Sequence, residues 1–292
     1  MSRVVVVSNA ASGGASDETL REVTDALRSF GDVREVGPSD RDRFDEEVRR
    51  EVRVGDTVVS AGGDGTFHCV INALGDRLDD LNFVVLPMGT GNDFARTLGL
   101  DEDPIKCVAD LTRATPREFD VGRVRGPRVD RLFINACMGG FPVAVNKAID
   151  EDLKKKIGAL AFWAGGLKAA SDLPRFEVEV DGKRYDDCVA VGVGNGTTAG
   201  GGIRVFPDAD PSDGRLDLCA LTVASIASGL KLAVDLKRGE HVDDEDAHVR
   251  RGTRFEVTSI PPMEFNCDGD LVDLRTPVTF EIHKKIRILV CR

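Results

Sequence analysis

The chain has 292 residues, enough for one large domain or two ordinary ones with a substantial core. Fifty acidic side chains against 39 basic ones leave a net charge of −11 with no basic stripe, which excludes nucleic acid as a partner. The seven cysteines are scattered without a C-x-x-C pair, which excludes a zinc site or disulfide framework, and no apolar run reaches the length of a membrane span.

The N-terminus enters a strand without the basic, apolar and cleavage-site regions of a secretory signal, so a cytoplasmic chain is expected. Val4–Ser8 reads as a strand, followed by N-A-A-S-G-G at 9–14 and a helix near Asp17–Ser29. Val33–Val36 is a second strand, with Ser39 in the turn behind it, and a charged helix runs near Arg41–Arg53. Val58 and Val59 lead a third strand into Gly62-Gly63-Asp64-Gly65-Thr66, after which Phe67, Val70, Ile71 and Leu74 recur at helical spacing. A glycine loop that opens a helix lets the backbone approach a ligand and presents unpaired N–H groups to an anion. Thr66 suits a helix cap or a phosphate oxygen, whereas the acid Asp64 suits a cation or its water. A plain strand–helix turn explains the same glycines almost equally well.

The pattern then repeats. Phe83–Leu86 runs into Gly89-Thr90-Gly91, with Asn92 and Asp93 at the start of the next helix, where both cap well. A helix over Pro104–Arg113 closes the alternation. Alternating units predict a parallel sheet covered on both faces, with ligands outside the carboxyl ends of its strands, where all three glycine loops fall. From about Glu118 strand patterns dominate: Phe119–Val124, Leu132–Ala136, Phe176–Val180, Cys188–Val193, Leu216–Thr222, Arg254–Ser259, Val278–Ile282 and Ile286–Val290. Two helical stretches interrupt them, near Leu153–Ser171 and Ile226–Lys237, and Asp243–Asp246 reads as a solvated loop. A largely antiparallel second domain is expected.

The runs G-G-D-G-T at 62–66, P-M-G-T-G-N-D-F-A-R at 87–96 and N-A-A-S-G at 9–13 resemble the diacylglycerol kinase catalytic-domain family of lipid kinases, sphingosine kinases included. In family order follow D-V-G at Asp120, F-I-N at Phe133, F-P-D-A-D-P-S-D-G-R-L at Phe206, R-G-E-H at Arg238 and C-D-G-D at Cys267. The chain departs from the family pattern at Ala10 (usually Pro), at His68 and Cys69 (often Asn and Glu) and at Asp270 (usually Glu).

The resemblance implies an α/β plus all-β protein. A Rossmann-like parallel-sheet nucleotide domain spans 1–118, a β-rich sandwich spans 119–285, and a final segment from about 286 to 292 returns to the first domain. It implies ATP-dependent phosphorylation of a lipid hydroxyl at the membrane surface, on diacylglycerol or a related alcohol, ether lipids included. ATP would be held by Asn9, Ser12, Gly13, Gly62, Gly63, Asp64, Gly65, Thr66, Gly89, Thr90 and Asn92, with Ser39 within reach or merely capping a turn. Mg²⁺ would be organised by Asp64, Asp93 and Asp120, partly through water, as suits an ion that keeps its waters. A second, structural Mg²⁺ is implied at Asp210, Asp213 and the backbone near Arg215. The general base would be Asp268 or Asp270; without the resemblance, Asp268-Gly269 reads as a hairpin turn.

Two other readings compete. An NAD-kinase-like enzyme also uses G-G-D-G-T, although N-D-F-A-R and the late D-G-D argue against it. A nucleotide-binding regulator that has lost catalysis would account for His68, Cys69 and Asp270. The acidic, Asp-rich and Lys-poor composition fits a cytoplasm of high ionic strength. The best candidate for docking on a membrane is Leu153–Ser171, where Lys154-Lys155-Lys156 precede Leu160, Phe162, Trp163 and Leu167, although the segment also reads as a helix packed on the β-rich domain; Lys284, Lys285 and Arg287 are a second, weaker candidate. A homodimer is compatible with the sequence.

Overall fold

The computed structural model describes residues 3–8, 17–37, 43–143, 173–223 and 225–291. The chain divides into two units, Met1–Val121 with Lys284–Arg292, and Gly122–His283.

The first unit is built on β1 (Arg3–Ser8), β2 (Asp32–Val36), β3 (Thr57–Gly62), β4 (Asn82–Pro87) and the end of the last strand, β15 (Val278–Val290). All pair in parallel, in the order β2-β1-β3-β4-β15. Val4 to Val7 are all buried, as are all six residues of β3. A strand covered on both faces needs such an unbroken apolar run rather than alternation. The covers are α1 (Asp17–Leu27), α2 (Phe44–Glu51), α3 (Asp64–Leu74), the short α4 (Asp93–Thr97) and α5 (Pro104–Asp110). α1 packs with α5, closing a core of Val4, Val6, Val23, Leu27, Val59, Leu86 and Val108, while α2 packs with α3. Strand order reverses between β1 and β3, and at such a switch point the loops beyond the strand ends part and leave a crevice. β3 ends there in Gly62.

The second unit is antiparallel. β5 (Thr115–Arg125) leads into it, followed by β6 (Asp130–Phe133), β7 (Ala136–Gly140), β8 (Phe176–Val180), β9 (Lys183–Gly194) and β10 (Leu216–Thr222). α6 (Ile226–Arg238), β11 (Ala247–Gly252), β12 (Arg254–Ile260), β13 (Glu264–Cys267) and β14 (Asp270–Arg275) complete it. The strand path is β14-β13-β7-β9-β8-β12-β15, with β10 paired to both β9 and β11. The resulting sandwich holds one core around Phe133, Phe255, Phe265 and Phe280 and another, under α6, around Phe206, Leu232 and Leu236.

Four expectations change. Leu132–Ala136 is not one strand: it breaks at Ile134-Asn135 into β6 and β7, where side chains of the β13–β14 turn and of Asn195 capture the backbone. Val278–Ile282 and Ile286–Val290 are one strand, because the polar residues between them find acidic partners. Lys284 Nζ lies 3.1 Å from Asp79 Oδ2, Lys285 Nζ 3.7 Å from Asp120 Oδ1, and Arg287 donates to the Asp79 carbonyl at 2.8 Å. β11 escaped notice because A-H-V-R-R-G is heavily charged; its Arg250 lies over the Phe255 ring at 5.6 Å and pairs with Asp181 at 3.0 Å. Asp243–Asp246 is not simply a solvated loop, since Asp244 is folded against Lys231. The expected docking helix at 153–171 lies outside the described residues.

Candidate active site

The β3–α3 and β4–α4 loops meet backbone to backbone. A Cβ built on Gly89 would stand 2.3 Å from Gly63 Cα, and one on Gly63 would stand 3.1 Å from Gly89 Cα. Only glycine permits that approach, so these two residues are required by the contact between the loops as well as by any ligand. Below the contact, Phe67 of α3 stacks on Phe94 of α4 at 5.8 Å and meets Phe83 of β4 edge-on at 5.8 Å. The aromatic residues of G-T-F and N-D-F are thus the floor on which both loops rest.

Asp64 joins the loops electrostatically. Its Oδ2 accepts the Asp93 N–H at 2.8 Å and its Oδ1 the Phe94 N–H at 2.9 Å. A side chain from one helix therefore caps the next, satisfying first-turn donors that have no acceptor within α4. Asn92 does not cap by its side chain as the sequence suggested. It takes a left-handed backbone, φ 51°, and turns its amide back: Gly89 N–H donates to Oδ1 at 2.9 Å and Nδ2 donates to the Gly89 carbonyl at 2.8 Å. Thr66 does not cap α3 either, because Gly63 is its N-cap. The Thr66 hydroxyl is buried with no hydrogen-bond partner among the described residues, an orphan of the kind a ligand oxygen satisfies.

Asp93 is buried, and its Oδ1 receives Arg96 at 3.0 Å. A Cβ on Gly91 would lie 3.3 Å from Asp64 Oδ2 and 3.8 Å from Asp93 Oδ2, so two carboxylates flank a position that carries no side chain. Mg²⁺ takes one or two carboxylates with phosphate and water, and this pair fits it. Asp120, fully buried on β5, faces Lys285 at 3.7 Å, as a buried carboxylate demands a counter-charge. Among the described residues no three or more His, Cys, Asp or Glu side chains form a metal cluster. Asn9, Ser12, Gly13 and Ser39 lie outside the described residues. His68 is buried, 3.4 Å from Asn72 Nδ2, and packs within α3.

In the second unit, Cys267-Asp268-Gly269-Asp270 is the hairpin between β13 and β14, with φ 48° at Asp268 and 87° at Gly269 and Cys267 paired to Asp270. Asp268 is only 6% exposed. Its carboxylate accepts three backbone N–H groups, from Ile134 at 2.9 Å and from Asn135 and Ala136 at 2.9 Å each. Around it runs a buried polar network that sequence reading missed. Asn195 Nδ2 donates to the Ile134 carbonyl at 2.8 Å, Asn135 Nδ2 to the Thr198 carbonyl at 2.8 Å, and Asn195 N–H to the Asn135 carbonyl at 2.7 Å. Its sequence signals are Asn135 of F-I-N and Asn195, a polar residue following the long apolar run of β9 between two glycines. Asp268 therefore anchors the turn, and Asp270 begins the next strand, half-buried.

The Asp210–Arg215 loop is tied by its own backbone. Asp210 Oδ1 accepts the Ser212 N–H at 2.9 Å and its hydroxyl at 2.6 Å, and Asp213 Oδ1 accepts the Arg215 N–H at 2.9 Å. Arg251 supplies a cation: it lies 4.0 Å from Asp213 and 3.0 Å from buried Asp217. Burial pushes the Asp217 carboxyl above its usual range, while Arg251 pulls it back. Arg251 thus supplies counter-charge mainly to Asp217 and, at longer range, to Asp213.

The model of the diacylglycerol kinase catalytic domain matches residues 3–124, and that of the YegS C-terminal NAD kinase beta sandwich-like domain matches residues 135–290. A Pseudomonas putida protein named probable lipid kinase YegS-like is 36% identical over 267 residues, covering 88% of this chain and 85% of its own. The diacylglycerol kinase of Bacillus subtilis (strain 168) is 30% identical over 239 residues, 80% of this chain and 78% of its own. A crystal structure of a diacylglycerol kinase from Bacillus anthracis str. Sterne shares the fold, with a TM-score of 0.75 at 23% identity, covering 97% of this chain and 94% of that one.

Proposed function

This chain belongs to the diacylglycerol kinase catalytic-domain family of lipid kinases, and from that premise we propose that it transfers the γ-phosphoryl group of ATP to the hydroxyl of diacylglycerol or a related lipid alcohol, ether lipids included. The observation that carries this reading is the joined pair of glycine loops, with Asp64 and Asp93 facing Gly91. Phosphoryl transfer needs positioning and charge neutralisation more than covalent chemistry, and a rigid double loop of backbone N–H groups supplies the positioning. In this reading the Gly63–Thr66 and Gly89–Asn92 segments cradle the phosphates, Thr66 gives its hydroxyl to an oxygen, and Asp64, Asp93 and Asp120 hold the Mg²⁺ side, partly through water. Mg²⁺, when bound, neutralises the charge on the transferred group. Asp268 positions the β13–β14 turn, and Asp270 is the carboxylate that takes the proton from the acceptor hydroxyl. No described helix is long and apolar enough to cross a membrane, and the proposed enzyme works in the cytoplasm, meeting its substrate from the side of the bilayer.

The second reading, a dinucleotide kinase, draws support from the NAD-kinase-like description of the sandwich family. One experiment separates the readings: the purified protein is incubated with γ-labelled ATP, Mg²⁺, a lipid extract and NAD, and the labelled product is identified. Labelled lipid phosphate is expected. Labelled dinucleotide would favour the second reading, and ATP binding without any labelled product would favour a regulator.

A further inference from the structure

We propose that Cys137 and Cys267 form an oxidative modification site, a thiol pair that closes to a disulfide and clamps the β13–β14 hairpin onto β7. The inference stands on the geometry of the second unit and not on the lipid-kinase reading. The two residues are 130 positions apart, so no spacing in the sequence joins them. The sheet does. Cys267 of β13 is the antiparallel partner of Cys137 of β7, and the two Sγ atoms lie 3.1 Å apart. Next along the ladder, the Asp268 N–H donates to the Ala136 carbonyl at 2.8 Å. Hydrogen-bonded and non-hydrogen-bonded pairs alternate in an antiparallel ladder, so Cys137 and Cys267 occupy a non-hydrogen-bonded pair. In such pairs the Cα atoms are about 4.5 Å apart and the side chains share one face. A disulfide spans Cα separations of about 4.4–6.8 Å with its sulfurs about 2.0 Å apart, so these sulfurs need approach by only about 1 Å.

Both thiols are fully buried in the core that holds Phe133 and Phe265. Burial first, then the Cys267 thiol and the Asp268 carboxylate, hold the Cys137 thiol well above its ordinary range, so it does not ionise while the hairpin is closed. Oxidation therefore waits on local opening, which here involves little of the sheet. β14 ends its strand path, and β13 meets β7 only through Phe265, Asn266 and Cys267. The oxidant is hydrogen peroxide. One thiolate, freed in the open hairpin, attacks a peroxide oxygen. The O–O bond breaks, and the departing hydroxide leaves as water with the thiol's proton, giving a sulfenic acid. On reclosing, the second sulfur attacks the sulfenic sulfur, the S–S bond forms, the S–O bond breaks, and a second water carries off the second proton. Two thiols and one peroxide give one disulfide and two waters, the sulfurs losing the two electrons that the peroxide oxygens gain. A dithiol reverses the step by exchange. The bond ties down the hairpin that carries Asp268 and Asp270, beside the three N–H groups of Ile134, Asn135 and Ala136 that Asp268 already accepts. It thus fixes the turn where it stands, and the long loop it closes restricts the unfolded chain.

The test treats the full chain with hydrogen peroxide, blocks remaining thiols with an alkylating agent, and maps disulfide-linked peptides by mass spectrometry before and after dithiothreitol. Melting temperature and amide hydrogen exchange over residues 264–275 are read on the same samples, and Cys267→Ala is carried alongside. The wild type is expected to yield a linked peptide pair joining Cys137 to Cys267. Once oxidised it should melt roughly 5 °C or more higher and exchange the hairpin amides roughly tenfold more slowly, both reversed by dithiothreitol. Cys267→Ala is expected to show no such pair and neither gain. Recovery of Cys137 and Cys267 as thiols while the partly exposed Cys69 and Cys291 are oxidised would overturn the proposal and leave a packed thiol contact. So would a linked pair with an unchanged or lower melting temperature, or a gain that persists in Cys267→Ala. If the alanine variant does not fold, the wild-type peptide map and hydrogen exchange decide between the same outcomes.

Discussion

At Asp268 a turn position and a carboxylate serve the same end. The left-handed backbone directs the side chain under Ile134–Ala136, and both oxygens take amide N–H groups. Replacing it removes bonds to a charged acceptor worth about 1.5–3 kcal/mol each. Asp268→Asn is therefore expected to lower the melting temperature by roughly 5 °C or more, at a few degrees per kcal/mol. Asp270→Asn is expected to leave melting unchanged and to lower kcat by roughly 10²–10⁴-fold, as loss of a general base does. Differential scanning calorimetry beside steady-state kinetics separates the two; the reverse pattern would make Asp268 the base. His241 makes a second prediction at this scale. It is fully buried, with Nε2 3.0 Å from the Val205 carbonyl, and burial holds its imidazole below the ordinary histidine range. The unfolded chain then binds the proton first, so stability is complete above the unfolded value of about 6.5 and falls as pH drops through it towards the lower folded value. Urea midpoints measured from pH 7.5 to 5 are expected to decline, with a shallower slope in His241→Gln; equal slopes would remove the histidine from the account.

The joined loops act as one element made of two. Gly63 and Gly89 touch through their backbones, Asp64 caps α4 from α3, and three phenylalanines form the floor. A methyl group at Gly89 would have to push Gly63 Cα out from 2.3 Å. Gly89→Ala is therefore expected to cost about 1–3 kcal/mol through overpacking and to weaken ATP binding strongly, because the loops must part. Isothermal titration with ATP and Mg²⁺ checks this, and unchanged affinity would show that the contact is irrelevant to the nucleotide. Similar economy governs β5 and β6, where a Cβ on Gly122 would lie 2.2 Å from the Phe133 ring. The glycine of D-V-G is there because the aromatic residue of F-I-N covers it.

For the molecule as a whole, charge is the dominant variable. Fifty carboxylates against 39 cations leave −11, and much of the basic complement is already engaged in ion pairs such as Arg250–Asp181, Arg251–Asp217 and Lys231–Asp244. Self-repulsion is screened when the Debye length shrinks to about 3 Å near 1 M salt. Melting temperature is expected to rise from low to molar KCl, and a flat or falling curve would count against adaptation to salt.

The sequence by itself determined what is local. Unbroken valine runs and the glycines behind them marked parallel strands and their loops, and the ordered motifs marked the family, because backbone conformation and side-chain period are written in adjacent residues. It did not determine partners distant along the chain. That Asp64 receives the amides of Asp93 and Phe94, that Asp268 receives those of Ile134 to Ala136, that Arg251 neutralises Asp213 and Asp217, and that Lys285 faces Asp120 are all pairings between segments far apart in sequence. A carboxylate in a glycine loop reads alike whether it will meet a metal, a base's proton or a backbone amide. Only packing decides, because packing brings one particular partner into contact and, by burying the pair, makes any other choice costly.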